Sequence, residues 1–456
     1  MIQDIVILAA GKGSRMKSKL PKVLHAIGGM AMVRRVLTVA NTLPETVLHL
    51  IIGHQGEAVA AECQDFSANI VWQNDPQGTG DALKRVAPHL QENGSTLTLY
   101  GDVPLIQAST LEKMTALSTP NTLVLLTVTL DNPTGYGRIV READQKVSAI
   151  VEQKDANDEQ LKIQEVNTGI LLAPNGYLQT WLAALTNNNA QQEYYLTDII
   201  AMAARDGVDI VTVQPSSEAE VSGVNDRVQL AALEREWQRQ QAIELMKKGA
   251  TLLDPARIDV RGELTTGQDV VIDINCIFEG KVVLGDDVEI GPNCQLKNCT
   301  IGNGTVIKNN TMIDDSQVGE GCDIGPFARL RPGTQLANKA KIGNFVETKK
   351  AIIGEGSKVN HLSYIGDTQM GAGVNVGAGT ITCNYDGVNK YLTQVADNVF
   401  IGSNSALVAP VTIAAGATIA AGSTITKNIA ENQLAVGRAR QTTKDNWPKP
   451  TKKTSK

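Results

Sequence analysis

Hydrophobic and polar positions follow two different rhythms along this chain, and the change falls near residue 250. Before it, apolar runs alternate with helix-like segments; the runs are IVILAA, VLHLIIGH, STLTLYGDVP, TLVLLTVTL and VDIVTVQP. Runs that are apolar on both faces and separated by helical patterns predict a parallel sheet covered on both sides, an α/β domain over residues 1–226. The stretch NDRVQLAALEREWQRQQAIELMKKG predicts one long, mostly exposed helix over 227–248. Its charge is dense, Asn225 or Asp226 is positioned to cap it, and Gly249 stops it. Leu230, Leu233 and Trp237 do not continue as a heptad, which argues against a coiled coil.

Beyond Gly249 an aliphatic residue recurs every six positions: Phe278, Leu284, Ile290, Leu296; then Ile301, Ile307, Ile313; then Val318, Ile324, Leu330, Leu336, Ile342; and later Ile401, Leu407, Ile413, Ile419, Ile425. Words such as IGPNCQ, IGNGTV, IGEGSK and IAAGAT repeat with it. A six-residue period matches neither a helix nor plain strand alternation. It predicts short strands joined by regular turns, each coil pointing one side chain per face inward, so that residues 249–456 stack as a parallel β-helix. LKNCT and IDDSQ are one residue short. Residues 380–398, TITCNYDGVNKYLTQVADN, interrupt the period and predict a loop on one face. The tail from Lys444, KDNWPKPTKKTSK, is basic and predicts a solvated end.

Composition narrows the class. A net charge of −6 gives no overall attraction to nucleic acid or anionic membrane, and no run is long enough to span a bilayer. The first apolar run follows Asp4 and lacks the flanks of a signal peptide. Six cysteines with no CxxC pair and no zinc spacing predict reduced, mostly buried thiols in a cytoplasmic protein.

LAAGKGSRM follows the first strand directly. Glycines let backbone N–H groups approach an anion, a helix start adds a favourable dipole, and Arg15 and Lys22 add charge. The spacing is neither a P-loop nor a dinucleotide fingerprint. His361 is the one histidine of the repeat region, and an imidazole suits a base working near neutral pH. Lys349 and Lys350 are adjacent, so strand alternation sends them to opposite faces.

LAAGKGSRM with LPK resembles the signature of sugar-1-phosphate nucleotidyltransferases, and the six-residue repeat is similar to that of hexapeptide acyltransferases, whose β-helix is left-handed. Together with QGTGDA, YGDVPLI, NPTGYGRI, IVEQKDA, EVNTGI and GVNDR, then FARLRPG, IGNFVETKKA, NHLSYIGD and NVGAGTITCNYDG, nearly the whole chain resembles the bacterial bifunctional N-acetylglucosamine-1-phosphate uridylyltransferase/glucosamine-1-phosphate acetyltransferases. The resemblance implies a Rossmann-like α/β nucleotidyltransferase domain, a linker helix and a left-handed parallel β-helix. It implies that Leu8, Ala9, Ala10, Gly11, Arg15, Lys22, Gln73, Gly78, Thr79, Tyr100, Gly101 and Asp102 hold UTP, with Arg15 and Lys22 catalytic. Asp102 and Asn225 would hold Mg²⁺, and Gly137, Glu152 and Asn167 would contact the sugar of UDP-N-acetylglucosamine. In the second half, His361 would be the general base. Arg331, Lys349, Tyr364, Asn375 and Lys390 would bind glucosamine-1-phosphate; Ala378, Asn384, Tyr385, Ser403, Ala421 and Arg438 would contact acetyl-CoA. The resemblance also implies a homotrimer acting on small molecules. A single-activity nucleotidyltransferase with a structural or regulatory β-helix is the competing expectation, and a β-helical scaffold with a vestigial first domain is a weaker one.

Overall fold

The computed structural model describes residues 2–453, and the chain divides into two compact units, Met1–Gln240 and Gln241–Lys456. The first is built on a nine-stranded sheet of β1 (Ile2–Leu8), β2 (Val47–Ile52), β3 (Ala68–Trp72), β4 (Ser95–Tyr100), β5 (Thr122–Thr129), β6 (Arg138–Arg141), β7 (Val147–Val151), β8 (Glu165–Pro174) and β9 (Asp209–Val213). The order is β9-β5-β8-β4-β1-β2-β3, with β6 pairing β8 and β7. Alternate residues feed two cores: Ile5 and Ile7 enter one, Val6 the other. The sheet is therefore covered on both faces, as the apolar runs predict, but it is mixed rather than parallel. β8 runs antiparallel to β4 and β5, entered from the β6–β7 hairpin. Continuous apolarity reports burial on both faces and says nothing of strand direction.

Two further expectations are corrected here. No α-helix follows the glycine loop. Gly13 adopts a left-handed conformation (φ 60°), a three-residue 3₁₀ turn covers Ser14–Met16, and the first α-helix begins only at Met32. Lys17, also left-handed, and Pro21 stop any continuation, so the loop has no helix dipole of consequence. The long helix, Arg227–Lys247, is not simply exposed: Leu233 and Gln238 are buried in the first unit, and Ala242 and Leu245 in the core of the second.

The second unit is a parallel β-helix. Inward residues stack in three columns. One runs Phe278, Leu296, Ile313, Leu330, Thr348, Ile365. Another runs Ile290, Ile307, Ile324, Ile342, Val359, Val376, Ile401, Ile419. The third runs Leu284, Ile301, Val318, Leu336, Ile353, Met370, Val395, Ile413. Every aliphatic residue of the six-residue series is buried. The short repeats lose a residue at a corner and keep the register of the columns.

The interruption is smaller than 380–398. Ile381–Cys383 and Thr393–Val395 remain strands of the coil, with Thr382 filling an inward position by donating its hydroxyl to Gly366 O at 3.0 Å. Lys350 also departs from expectation. The opposite face of its strand is the closed core, so Lys350 turns out at a corner with φ 45° while Lys349 faces outward. All six cysteines are free; five are buried and Cys383 is half-buried. Residues 444–453 of the tail are exposed without helix or strand, and 454–456 lie outside the described residues.

Candidate active sites

In the first unit the C-terminal ends of β1 and β4 open onto a cavity of about 490 Å³. Leu8, Ala9, Ala10, Gly11, Lys22, Gln73, Gly78, Thr79, Tyr100 and Asp102 line it, all named from the sequence. So do Lys12, Pro76 and Glu193, which were not. Lys12 stands inside the very GKGSR motif that marked the loop; Glu193 comes from a polar loop with no motif.

The glycines divide by cause. Gly13 is required by its left-handed backbone, and a Cβ there would strike Lys22 Cβ at 2.6 Å. Gly78 has φ 110°, and a Cβ would meet Tyr194 O at 2.6 Å. A Cβ on Gly11 would meet nothing of the protein within 4 Å, so packing does not explain it and the open cavity beside it does. Gly101 lies beneath the loop, its N–H donating to Leu8 O at 2.9 Å.

Lys22 Nζ contacts Asp102 Oδ2 and lies 3.5 Å from Asn225 Oδ1, which also accepts from Arg15 at 2.8 Å. Four residues spread over most of the first unit's sequence thus meet at one point. Asp226, not Asn225, caps the following helix: its Oδ1 accepts from the N–H groups of Val228 and Gln229, each at 2.9 Å. That leaves the Asn225 carbonyl oxygen directed at the two cations. Among the described residues no group of three or more His, Cys, Asp or Glu side chains forms a self-sufficient metal cage. Asp102 and Asn225 offer two hard oxygens converging on one cation, a fit for Mg²⁺ that takes its remaining ligands from phosphate and water.

Gly137, Glu152 and Asn167 form an adjoining group. Asn167 N–H donates to Gly137 O at 2.9 Å, and a Cβ on Gly137 would come within 3.3 Å of the Glu152 carboxylate. Burial pushes the Glu152 carboxyl up, opposed by a hydrogen bond from Thr197, which the sequence did not single out. Burial also raises the Tyr100 phenol, helped by the charges of Asp102 and Glu152.

In the β-helix, several of the positions expected to serve the second site, with Asn344, climb one corner, one per coil. Asn344 pairs with His361 in register, Gly379 N–H donates to His361 O, Asn404 N–H to Ala378 O, Gly422 N–H to Ser403 O, and Arg438 Nη1 to Ala421 O at 2.7 Å. His361 is exposed, and its Nδ1 is 2.9 Å from Asn344 Oδ1. An amide oxygen only accepts, so in this pairing Nδ1 is the donor, which leaves Nε2 of a neutral ring as the acceptor. Asn344 went unnamed in the sequence, although it sits one coil before the histidine.

On the neighbouring face Lys349 is held below the usual lysine range, first by its hydrogen bond with Lys390 and then by that residue's charge, with Arg331 adding to it. Arg331 is paired with Glu347 at 2.7 Å. Tyr364 pairs in register with Glu347 on the same face. Asn375 stands apart on another face, paired with Lys358 and Phe400. Asn384 donates to Asp367 and so pins the inserted hairpin, in which Tyr385 bridges Lys390.

Together the two arrangements define a class: a nucleotidyltransferase carried on one chain with a hexapeptide-repeat acyltransferase. Residues 5–158 match the MobA-like NTP transferase domain, 260–344 the GMPPB C-terminal domain, and 393–427 the bacterial transferase hexapeptide of six repeats. A Bifunctional protein GlmU of Marinomonas sp. (strain MWYL1) is 81% identical over 99% of this chain and 100% of its own length. Those of Marinobacter nauticus (strain ATCC 700491 / DSM 11845 / VT8) and Cellvibrio japonicus (strain Ueda107) are 57% and 58% identical, over 98% and 99% of this chain and 99% of each relative. The chain belongs to the bifunctional GlmU family. It is both an acetyltransferase and a uridylyltransferase, with a Rossmann-like first domain and a left-handed β-helix, and the nucleotidyl transfer of this family is generally metal-dependent.

Proposed function

We propose that the β-helix acetylates glucosamine-1-phosphate from acetyl-CoA, and that the α/β domain then joins the N-acetylglucosamine-1-phosphate to UMP from UTP, releasing pyrophosphate. The observation that carries the first step is the Asn344–His361 pair. The free Nε2 takes a proton from the substrate ammonium, and the amine attacks the thioester carbonyl. A C–N bond forms, the C–S bond breaks, the nitrogen sheds its second proton, and CoA leaves as the thiol with a proton on sulfur. Arg331, Lys349 and Lys390 gather three positive charges, only one of them paired at close range, by Glu347, which suits a sugar phosphate; Tyr364 shares that face, whereas Asn375 lies on another and is not part of the set. Ala378, Asn384, Tyr385, Ser403, Ala421 and Arg438 take acetyl-CoA along the corner.

For the second step, backbone N–H groups from Leu8 to Gly11 with Lys12, Arg15 and Lys22 face the UTP phosphates. Gln73 donates its Nε2 to Asp81 at 2.7 Å, which frees Oε1 for the uracil N–H; Gly78 and Thr79 border the base. Gly137, Glu152 and Asn167 take the sugar. Mg²⁺ on Asp102 and Asn225 would neutralise charge on the phosphates of UTP. The sugar phosphate oxygen attacks the α-phosphorus as the bond to pyrophosphate breaks, and the cations lower the repulsion between two anions.

A homotrimer built on the β-helix belongs to the same proposal. Phe327, Phe345 and Leu362 occupy consecutive corner positions beside His361, are 47%, 56% and 62% exposed, and all have left-handed backbones. Such conformations cost bulky residues about 1–3 kcal/mol each, and a partner surface covering them supports the expense. Six free thiols fit a cytoplasmic location; among the described residues no helix is long and apolar enough to cross a membrane.

The test is product formation by the purified protein with glucosamine-1-phosphate, acetyl-CoA, UTP and Mg²⁺, beside a reaction given N-acetylglucosamine-1-phosphate and UTP. UDP-N-acetylglucosamine in both is the expected result. Product in the second alone would mean that the β-helix site, and His361 with it, does not act as proposed.

A further inference from the structure

The phosphate loop, the Asp102 segment and Asn225 are joined by a small core of their own. Met16, Ile27, Met32, Leu105, Val224 and Leu233 form it, separate from the two cores of the sheet. Its outer wall is gripped unusually closely. Gly28 N–H donates to Glu234 Oε2 at 2.7 Å. Arg35, buried, donates from Nε to Ile27 O at 2.6 Å, and its guanidinium lies 3.7 Å from the Trp237 ring centroid. Gly28 has φ 54°, and a Cβ there would fall 2.1 Å from Trp237 Nε1. The Ile27–Gly28 turn follows Lys22–Leu24 directly, while Glu234 and Trp237 lie on the helix that Asn225 precedes.

We infer that Arg35, Glu234 and Trp237 are positioning residues for uridylyl transfer, clamping the loop that carries Lys22 to the helix that presents Asn225. None of them touches the cavity. The inference rests on the reading of Asp102 and Asn225 as metal-holding oxygens. Holding Lys22, Asp102 and Asn225 at one point requires two backbone segments to keep a fixed separation, and a backbone hydrogen bond from Val224 N–H to Asp102 O at 2.9 Å ties the segments that carry the two oxygens. The stacked arginine and the Glu234 hydrogen bond add to that constraint, beside the bond from Arg227 Nε to Met16 O at 3.3 Å. A displacement of about 1 Å at reacting groups costs up to about a hundredfold in rate.

The full-length protein carrying Trp237→Leu, Trp237→Phe, Glu234→Ala or Glu234→Gln tests it. Trp237→Leu and Glu234→Ala should raise the Mg²⁺ concentration for half-maximal uridylyl transfer and lower kcat, each on the order of tenfold. KM for N-acetylglucosamine-1-phosphate and the rate of acetyl transfer should hold. Trp237→Phe, which keeps a ring under the guanidinium, and Glu234→Gln, which keeps an acceptor, should restore near-normal values. A lower Tm with unchanged Mg²⁺ midpoint and kcat in Trp237→Leu and Glu234→Ala would overturn the inference and leave only packing. Should Trp237→Leu fail to fold, the Glu234 pair decides alone. Asp102→Ala, run alongside, should abolish Mg²⁺-dependent transfer; if it does not, the metal reading itself is overturned, whatever the clamp variants show.

Discussion

In the α/β unit, Lys22 and Asn225 lie 203 residues apart and meet Asp102 only because the segments that carry them converge past the ends of β1 and β4. In the β-helix, Asn344 and His361 meet because they are 17 residues, one coil, apart. Ala378, Ser403 and Ala421 continue the same corner. A sheet site is assembled by topology, and each member depends on long-range pairing of several strands. A solenoid site is assembled by period, and each member depends on the coils next to it. The two sites should therefore answer to mutation independently.

The strongest break of that comparison is reciprocal substitution. His361→Ala removes the base and should lower acetyl transfer by about 10²–10⁴-fold, leaving uridylyl transfer untouched. Asp102→Ala should lower uridylyl transfer by about 10²–10³-fold, the scale of a lost electrostatic contact to the transferring group, leaving acetyl transfer intact. Separate assays on folded protein measure both. Loss of both activities from either change would mean that the sites are not independent.

This contrast also explains what was legible in the sequence. The period placed the inward residues from Phe278 to Ile342 and from Ile401 to Ile425, all of them buried, while Ile353, Val359, Ile365, Met370, Val376 and Val395, which point inward too, lay outside the series. The same arithmetic, carried outward, would have found Asn344: it needs only a polar residue one coil from His361. In the α/β unit no arithmetic of that kind exists. Lys22 stood out by its charge beside the glycine loop, but its meeting with Asp102 and Asn225 was reachable only through motif resemblance, and Glu193 and Thr197, which sit in no motif, were missed. Strand direction was missed for a related reason. Leu171 and Leu172 of β8 are buried like any parallel strand of the sheet, and burial carries no polarity. Asn225 shows the converse. Beside Asp226 it reads equally well as a cap, and only the hydrogen bonds of Val228 and Gln229 decide between them.

A sharper test of the solenoid follows from Asn344. Asn344→Ala keeps the imidazole but frees its ring and tautomer. Acetyl transfer should fall about tenfold, one neutral hydrogen bond's worth, with KM for the sugar phosphate nearly unchanged. Asn344→Asp keeps an acceptor and should restore most of the rate while moving the acid limb of the pH profile upward, since a carboxylate stabilises the imidazolium. An unaltered profile in Asn344→Asp would show that Nδ1 is not held by this residue during turnover.

Lys349 gives a pH prediction confined to the same half. Lys390 and Arg331 hold its pKa below the ordinary lysine value, so it loses its proton earlier as pH rises. If the protonated form grips the phosphate, as proposed, KM for glucosamine-1-phosphate should climb at a lower pH than an ordinary lysine would give. Lys390→Met removes the main cause and should shift that climb to higher pH, although it also weakens binding at every pH. KM for N-acetylglucosamine-1-phosphate in uridylyl transfer should show neither effect. A climb at the same pH with and without Lys390 would assign it to another group.

The smallest effect separates the two cores by their thiols. Burial pushes Cys294 and Cys299 of the β-helix up to about 12, and Cys276 to about 11. A thiol of pKa 12 is ionised to roughly one part in ten thousand at pH 8, and the thiolate is the reactive form. Cys63 of the α/β unit is pushed up to about 11 by burial, but the Arg34 guanidinium opposes the shift. In folded protein at pH 8, an aromatic disulfide reagent should modify Cys383 first, the one cysteine not fully buried, and Cys63 far more slowly, with the four buried β-helix thiols reacting only in denaturant. Peptide mapping of the modified protein identifies each site. If Cys294 or Cys299 reacts as fast as Cys63, the stacked core opens more readily than the sheet, and a column of interdigitated side chains is not the tighter of the two ways of excluding water.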